Sequence, residues 1–298
     1  MSRIAANGIQ IEYETFGNPS DRPLLLITGL GGQMIHWDED LCRDLADRGH
    51  YVIRYDNRDT GLSTKFDHAG KTRIRETLGK ISKGDKSGVP YTIEDMAEDG
   101  AAFLAGLGIS SAHICGTSMG GAIAQTITLR HPSRVSSLIS IYSHTGNPAL
   151  PQPKPEVTAA LIARAPSERE AYIEHMTQFF KMIAGRGFPF DEAWTRKKMA
   201  ASFDRCLYPQ GMGRQLIAVR AQNDRTSELA SIKAPVLVIH GTDDPLVSVE
   251  GGKDTAAAIP SAELLLIEGM GHDLPHGGAW PQIVDAITAH TQKAKNRI

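Results

Sequence analysis

The chain has little cysteine: Cys42, Cys115 and Cys206 in 298 residues. An odd, scattered set without CxxC spacing excludes a disulfide framework and a cysteine zinc site, and predicts reduced thiols in a cytoplasmic protein. It also has no excess of charge, with a formal net charge of −2. That argues against a nucleic-acid binder, which carries a basic stripe. One stretch, "KTRIRETLGKISKGDKSG" (71–88), is locally basic but has no interleaved aromatics to stack on bases. It is expected to be a solvated surface loop. No apolar run approaches the length of a membrane span, and the opening "MSRIAANGIQIEYETFG" shows no signal-peptide core.

What is present is ordinary for a folded domain: 41% apolar and 22% charged residues. The length suffices to bury a core without covalent staples. Strand-like runs alternate with helical patterns. "RPLLLITG", "YVIRYD", "AHICG", "VSSLISIYS", "PVLVIHG" and "AELLLIEG" are short apolar runs of the kind buried in a parallel sheet, and "IQIEYETFG" alternates. Between them lie helical patterns, among them "TIEDMAEDGAAFLAGLG", whose Thr92 and Asp95 form a capping-box-like start. This alternation predicts an α/β protein with a mostly parallel central sheet and helices on both faces. It breaks at the proline-rich "GNPALPQPKPE" (146–156) and resumes near 230, with only helical patterns between. Residues 1–145 and 230–298 are therefore expected to form the core domain, and 146–229 an inserted helical cap.

"HICGTSMGGA" (113–122) carries the chemistry. A strand, G-x-S-x-G and a helix in succession are the setting of a nucleophile elbow. Gly116 and Gly120 flank the serine where larger side chains would collide, and Gly121 lets the helix pack closely. Ser118 would then sit at the carboxyl edge of the sheet and the N-terminus of a helix, where ligands and developing negative charge are favoured. A serine hydroxyl needs a base to remove its proton. His272, in the glycine-rich loop of "LLLIEGMGHDLP", follows a strand late in the chain, and His276 lies further beyond it. The base in turn needs a carboxylate. "GTDDPLV" offers Asp243 and Asp244, of which Asp244, before Pro245, is preferred. Ser118, Asp244 and His272 are thus in the chain order Ser–Asp–His.

A second backbone donor for an oxyanion is expected at Leu30, in the turn of "LLLITGLGGQM", beside the N–H of Met119. A dinucleotide loop there would need glycine at position 34, which is Met34. "GKISKGDKSG" fails as a phosphate loop because Asp85 follows Gly84 where lysine is needed.

These pieces, in this order, resemble the α/β-hydrolase superfamily over essentially the whole chain. "RYDNRDTGLST" adds a likeness to its D-x-R-x-x-G-x-S turn, with Asp56, Arg58, Gly61 and Ser63. Together with "GTSMGG", "IEGMGH" and "ITAHT", it makes the chain similar to the aclacinomycin methylesterase-like esterases. The glycine-rich turn departs from the usual pattern in having Thr28 before its first glycine, where the family has histidine. The resemblance implies a carboxylic-ester hydrolase acting through an acyl-enzyme on a small-molecule ester, with no cofactor and no metal. A cofactor-free perhydrolase, a carbon–carbon bond hydrolase and a non-catalytic receptor stay open as alternatives, and the oligomeric state is not indicated. Trp37, Met176, Phe179, Phe180 and Met182 are candidates for an apolar substrate pocket.

Overall fold

The buried apolar runs become the middle of an eight-stranded sheet in a computed structural model that describes residues 1–70 and 73–295. The strands are β1 (Ser2–Ala6), β2 (Ile9–Phe16), β3 (Arg22–Ile27), β4 (His50–Tyr55), β5 (Ala112–Thr117), β6 (Val135–Ile141), β7 (Val236–Gly241) and β8 (Ala262–Ile267). Their order is β1-β2-β4-β3-β5-β6-β7-β8. β1, β2 and β4 pair antiparallel, and every pair from β4 to β8 is parallel. Leu24 to Ile27 are fully buried because β3 is covered on both faces, which is why its apolar run does not alternate.

The helices are α1 (Glu39–Asp47), α2 (Ile74–Ile81), α3 (Ile93–Gly106), α4 (Met119–Arg130), α5 (Pro155–Ile162), α6 (Arg169–Ile183), α7 (Glu192–Arg205), α8 (Pro209–Ala221), α9 (Thr226–Leu229), α10 (Val249–Ala258) and α11 (Trp280–Lys295). On one sheet face Phe103 and Leu104 of α3 pack with Ile123 and Ile127 of α4. On the other, Leu41 and Leu45 of α1 pack with Ile283 and Ile287 of α11. The α3 start is a capping box: Asp95 N–H donates to Thr92 Oγ1 at 3.2 Å and Thr92 N–H to Asp95 Oδ2 at 2.8 Å. Between β6 and β7 the described chain forms the five helices α5–α9 and no strand. Among the described residues no helix is long and apolar enough to cross a membrane.

Two elements depart from the sequence expectation. β1 is an exposed edge strand whose few residues carry little pattern. The basic stretch 71–88 is not wholly loop, since α2 occupies Ile74–Ile81 and packs on α8; positions 71 and 72 lie outside the described residues. Ile74, Leu78 and Ile81 recur at helical spacing, a signal hidden by the surrounding charges.

Candidate active site

β5 ends at Thr117 and α4 begins at Met119, leaving Ser118 alone to make the turn. It does so with a φ of 53°, in the left-handed region that side chains other than glycine rarely adopt. The turn is tight enough to bring backbones into contact. A Cβ on Gly116 would stand 2.0 Å from the Gly120 carbonyl oxygen, and one on Gly120 would stand 2.2 Å from that of Ile27. Ser118 N–H donates to the Ile141 carbonyl at 2.9 Å, tying the elbow to the end of β6.

His272 Nδ1 lies 2.7 Å from Asp244 Oδ2, with both residues buried. Asp244 sits on the turn after β7, and its Oδ1 accepts the N–H groups of Leu246 and Val247, each at 2.8 Å. Those bonds orient the carboxylate so that Oδ2 faces the imidazole. Burial alone would raise the Asp244 pKa, but the charge of His272 and hydrogen bonds from His240 and His272 bring it down to about 2. His240 Nε2 stands 3.4 Å from Asp244 Oδ2 and 2.9 Å from the Val247 carbonyl. His276 is engaged elsewhere: its Nδ1 is 3.1 Å from Asp191 Oδ2 and its ring stacks on Trp194. Asp243 accepts from the exposed Arg186 at 3.2 Å.

Among the described residues neither Leu30 N–H nor Met119 N–H donates to a protein group. The glycine-rich turn that holds Leu30 is braced from three sides. Gly31 N–H donates to Gln215 Oε1 at 2.8 Å, Thr28 Oγ1 to the Gly32 carbonyl at 2.9 Å, and Asn57 Nδ2 to the Thr28 carbonyl at 3.2 Å. The threonine that departs from the family pattern thus closes the turn on itself. Asp56, from the D-x-R-x-x-G-x-S turn, lies fully buried beneath and accepts the N–H groups of Met34 and Leu62, each at 2.8 Å. A Cβ on Gly61 (φ +52°) would collide with its carboxylate at 2.1 Å. Ser63 Oγ donates to the Asp56 carbonyl at 2.7 Å and Arg58 pairs with Asp99 at 2.6 Å, so this turn is scaffolding.

Ser118, Met119, Leu30 and His272 line one cavity of about 570 Å³. Trp37, Phe179 and Phe180 line it as well. Met176 and Met182 are not in its lining. Met176 is half-buried outside the lining, and Met182 is 44% exposed. Two residues beyond Phe180, Met182 lies some 200° around the α6 axis from it, on the solvent side.

Among the cavity residues that the sequence reading missed are Tyr142, Lys198 and Asp273. The Tyr142 ring is 4.6 Å from that of His272, and its own φ is 36°. Burial holds Lys198 down to about 8, and burial raises Asp273 to about 6. His36, also in the lining, is lowered to about 3 by burial and by the charge of Lys198, so it is neutral at physiological pH.

Residues 22–279 match the family described as the alpha/beta hydrolase fold. A curated relative, rhodomycin D methylesterase DauP of Streptomyces sp. (strain C5), is 29% identical over 98% of each chain. Among solved structures, a thermophilic esterase from Thermogutta terrifontis superposes with a TM-score of 0.74 at 21% identity, over 99% of each chain. A meta-cleavage product hydrolase from Pseudomonas fluorescens IP01 gives 0.72 at 18% identity, over 100% of this chain and 98% of that one. At these identities the two superpositions speak for the fold alone.

Proposed function

Since the chain belongs to the α/β-hydrolase fold family, we propose that it is a carboxylic-ester hydrolase whose nucleophile is Ser118. The observation that carries this reading is the 2.7 Å contact of His272 Nδ1 with Asp244 Oδ2, in a wall of the cavity that Ser118 also lines. Asp244 is ionised at neutral pH and accepts a hydrogen bond from Nδ1–H, which keeps the proton on Nδ1 and leaves Nε2 with a free lone pair. His272 Nε2 removes the Ser118 proton as Oγ attacks the ester carbonyl. The N–H groups of Leu30 and Met119 hold the oxyanion, and α4 adds its dipole from the N-terminal end. The tetrahedral intermediate collapses, and the alcohol leaves with the proton from His272. Water then attacks the acyl-enzyme, again giving its proton to His272, and the acid departs from Ser118. No step in this cycle uses a metal or cofactor.

The helices between β6 and β7 act in this reading as a cap. Phe179, Phe180 and Ile183 from α6, Trp194 and Met199 from α7, and Leu216 from α8 supply cavity wall above Ser118. A volume of about 570 Å³ suits a small to medium apolar ester. Similarity to a methylesterase over nearly the whole chain supports ester chemistry over the carbon–carbon and perhydrolase alternatives.

Hydrolysis of p-nitrophenyl acetate, butyrate and longer esters by the wild-type protein and by Ser118→Ala tests the proposal. The wild type turns over short esters best, and the variant loses activity by about 10³-fold or more. Equal turnover by the two proteins, or none by the wild type, refutes the esterase; a maximum with long-chain fats refutes the substrate size.

A further inference from the structure

The cavity contains an ammonium group that the hydrolytic cycle does not use. Lys198, on α7, lines the cavity with its Nζ 4.2 Å from the centroid of the Trp194 ring. Among the described residues no carboxylate forms an ion pair with it. Burial lowers its pKa to about 8, which leaves it charged at neutral pH. Lys198 is half-buried, and the Trp194 face offsets part of the cost of its partial desolvation, but a ring does not accept hydrogen bonds as an oxygen does.

A second lining residue has the same need. The indole Nε1–H of Trp37 is buried without an acceptor, whereas a buried tryptophan N–H normally finds one. Lys198 and Trp37 are both donors, so neither satisfies the other. Asp38, beside Trp37 in sequence, and Asp273, beside His272, are the carboxylates whose charge favours the Lys198 ammonium. Neither is bonded to it, and Asp273 Oδ1 is itself buried without a partner. Lys198 and Trp37 thus leave two donors in this wall with no hydrogen-bonded acceptor among the described residues.

We propose that Lys198 determines specificity, selecting apolar esters that carry a carboxylate in addition to the scissile ester group. The inference rests on the esterase reading and names the substrate class of that same cavity. The carboxylate takes the Lys198 ammonium as its counter-charge, while the apolar lining holds the chain between the two ends. Such a substrate is a half-ester of a dicarboxylic acid or a compound of equivalent form.

The test compares monomethyl adipate, anionic at assay pH, with methyl hexanoate, its uncharged analogue of equal chain length. Their kcat/KM ratio is measured for the wild type and for Lys198→Met, Lys198→Gln and Lys198→Arg. Arg220→Gln serves as a control for the other cation in the lining. The wild type prefers the half-ester, and removing the ammonium lowers the ratio about ten- to hundredfold, as befits a charge-assisted hydrogen bond. Lys198→Arg keeps most of the preference. A wild type that hydrolyses both esters without preference overturns the proposal, as does an unchanged ratio in the folded Met and Gln variants or an equal fall in Arg220→Gln. Calorimetric titration of Ser118→Ala with monomethyl adipate, with and without Lys198→Met, reads the same contact without turnover. Lys198-dependent binding in a protein that hydrolyses neither ester would retain this inference and refute the esterase. Hydrolysis of both esters without Lys198 dependence would do the reverse.

Discussion

The backbone N–H of His272 donates to the carbonyl of Ile183 at 2.8 Å, so the end of α6 holds the loop that carries the imidazole. One turn of chain further on, Gly187 N–H donates to the Gly269 carbonyl at 2.9 Å. The helical insertion is thereby stitched to the histidine loop by main-chain bonds, and its position bears on the geometry at Ser118 as well as on the shape of the cavity.

Gly185 is the point where this stitch tolerates no side chain. A Cβ there would stand 2.0 Å from the Gly269 oxygen and 2.4 Å from the Gly271 nitrogen. Gly185→Ala is expected to displace the loop and lower kcat by about 10- to 100-fold, since small misplacements of a catalytic group are that costly. It should also destabilise the fold by about 1–3 kcal/mol. Steady-state kinetics beside a thermal melt check this. A lower melting temperature with unchanged kcat would show that the stitch does not position His272.

Gln215 plays the corresponding part for the Leu30 turn. Fully buried on α8, it accepts from Gly31 and donates to the Arg58 carbonyl at 2.8 Å and Thr60 Oγ1 at 2.6 Å. Gln215→Leu leaves those three groups unpaired and frees the turn, with an expected loss of about 1–3 kcal/mol in stability. If the Leu30 N–H holds the oxyanion, kcat falls by about tenfold or more while KM changes little. A rise in KM alone would place Gln215 in binding rather than in transition-state support.

Two carboxyls beside His272 should shape stability against pH with opposite signs. Asp244 is held at about 2, below its ordinary 3.8, so its contribution is present above about pH 4 and lost as pH falls through 2. That window is worth about 2 kcal/mol, and the stability gap between wild type and Asp244→Asn should narrow across it. Asp273 is raised to about 6, so ionising it destabilises the fold increasingly as pH rises from about 4 to 6. Asp273→Asn should therefore gain about 2–3 kcal/mol on the wild type between pH 4 and 7. Urea unfolding at pH 2.5, 4 and 7.5 measures both, and parallel stability curves for wild type and variants would contradict the assignments.

How much of this was legible in the sequence depended on how local each constraint is. The elbow is local: a strand, two glycines and a serine must turn within five residues, so Gly116, Ser118 and Gly120 announce it. Chain order pointed to Asp244 and His272 as candidates, because each follows a strand end that the parallel sheet carries to one edge. The cavity wall is not local. Phe180 and Met182 look alike as apolar residues on one helix, and only the packing of α6 decides which faces the cavity. Lys198 reads as one more surface charge in "DEAWTRKKMAASFDRC" until α7 is laid beside Trp37 and Asp273. Tyr142 gave no signal, because its positive φ is imposed where β6 ends beside the elbow.

The most direct measurement is rapid quenching of the wild type with p-nitrophenyl butyrate, followed by intact mass and peptide mapping. An acyl group on Ser118, formed at a rate compatible with turnover and absent with the activity from Ser118→Ala, is the predicted result. An adduct on another residue, or undiminished hydrolysis by Ser118→Ala, would contradict the account.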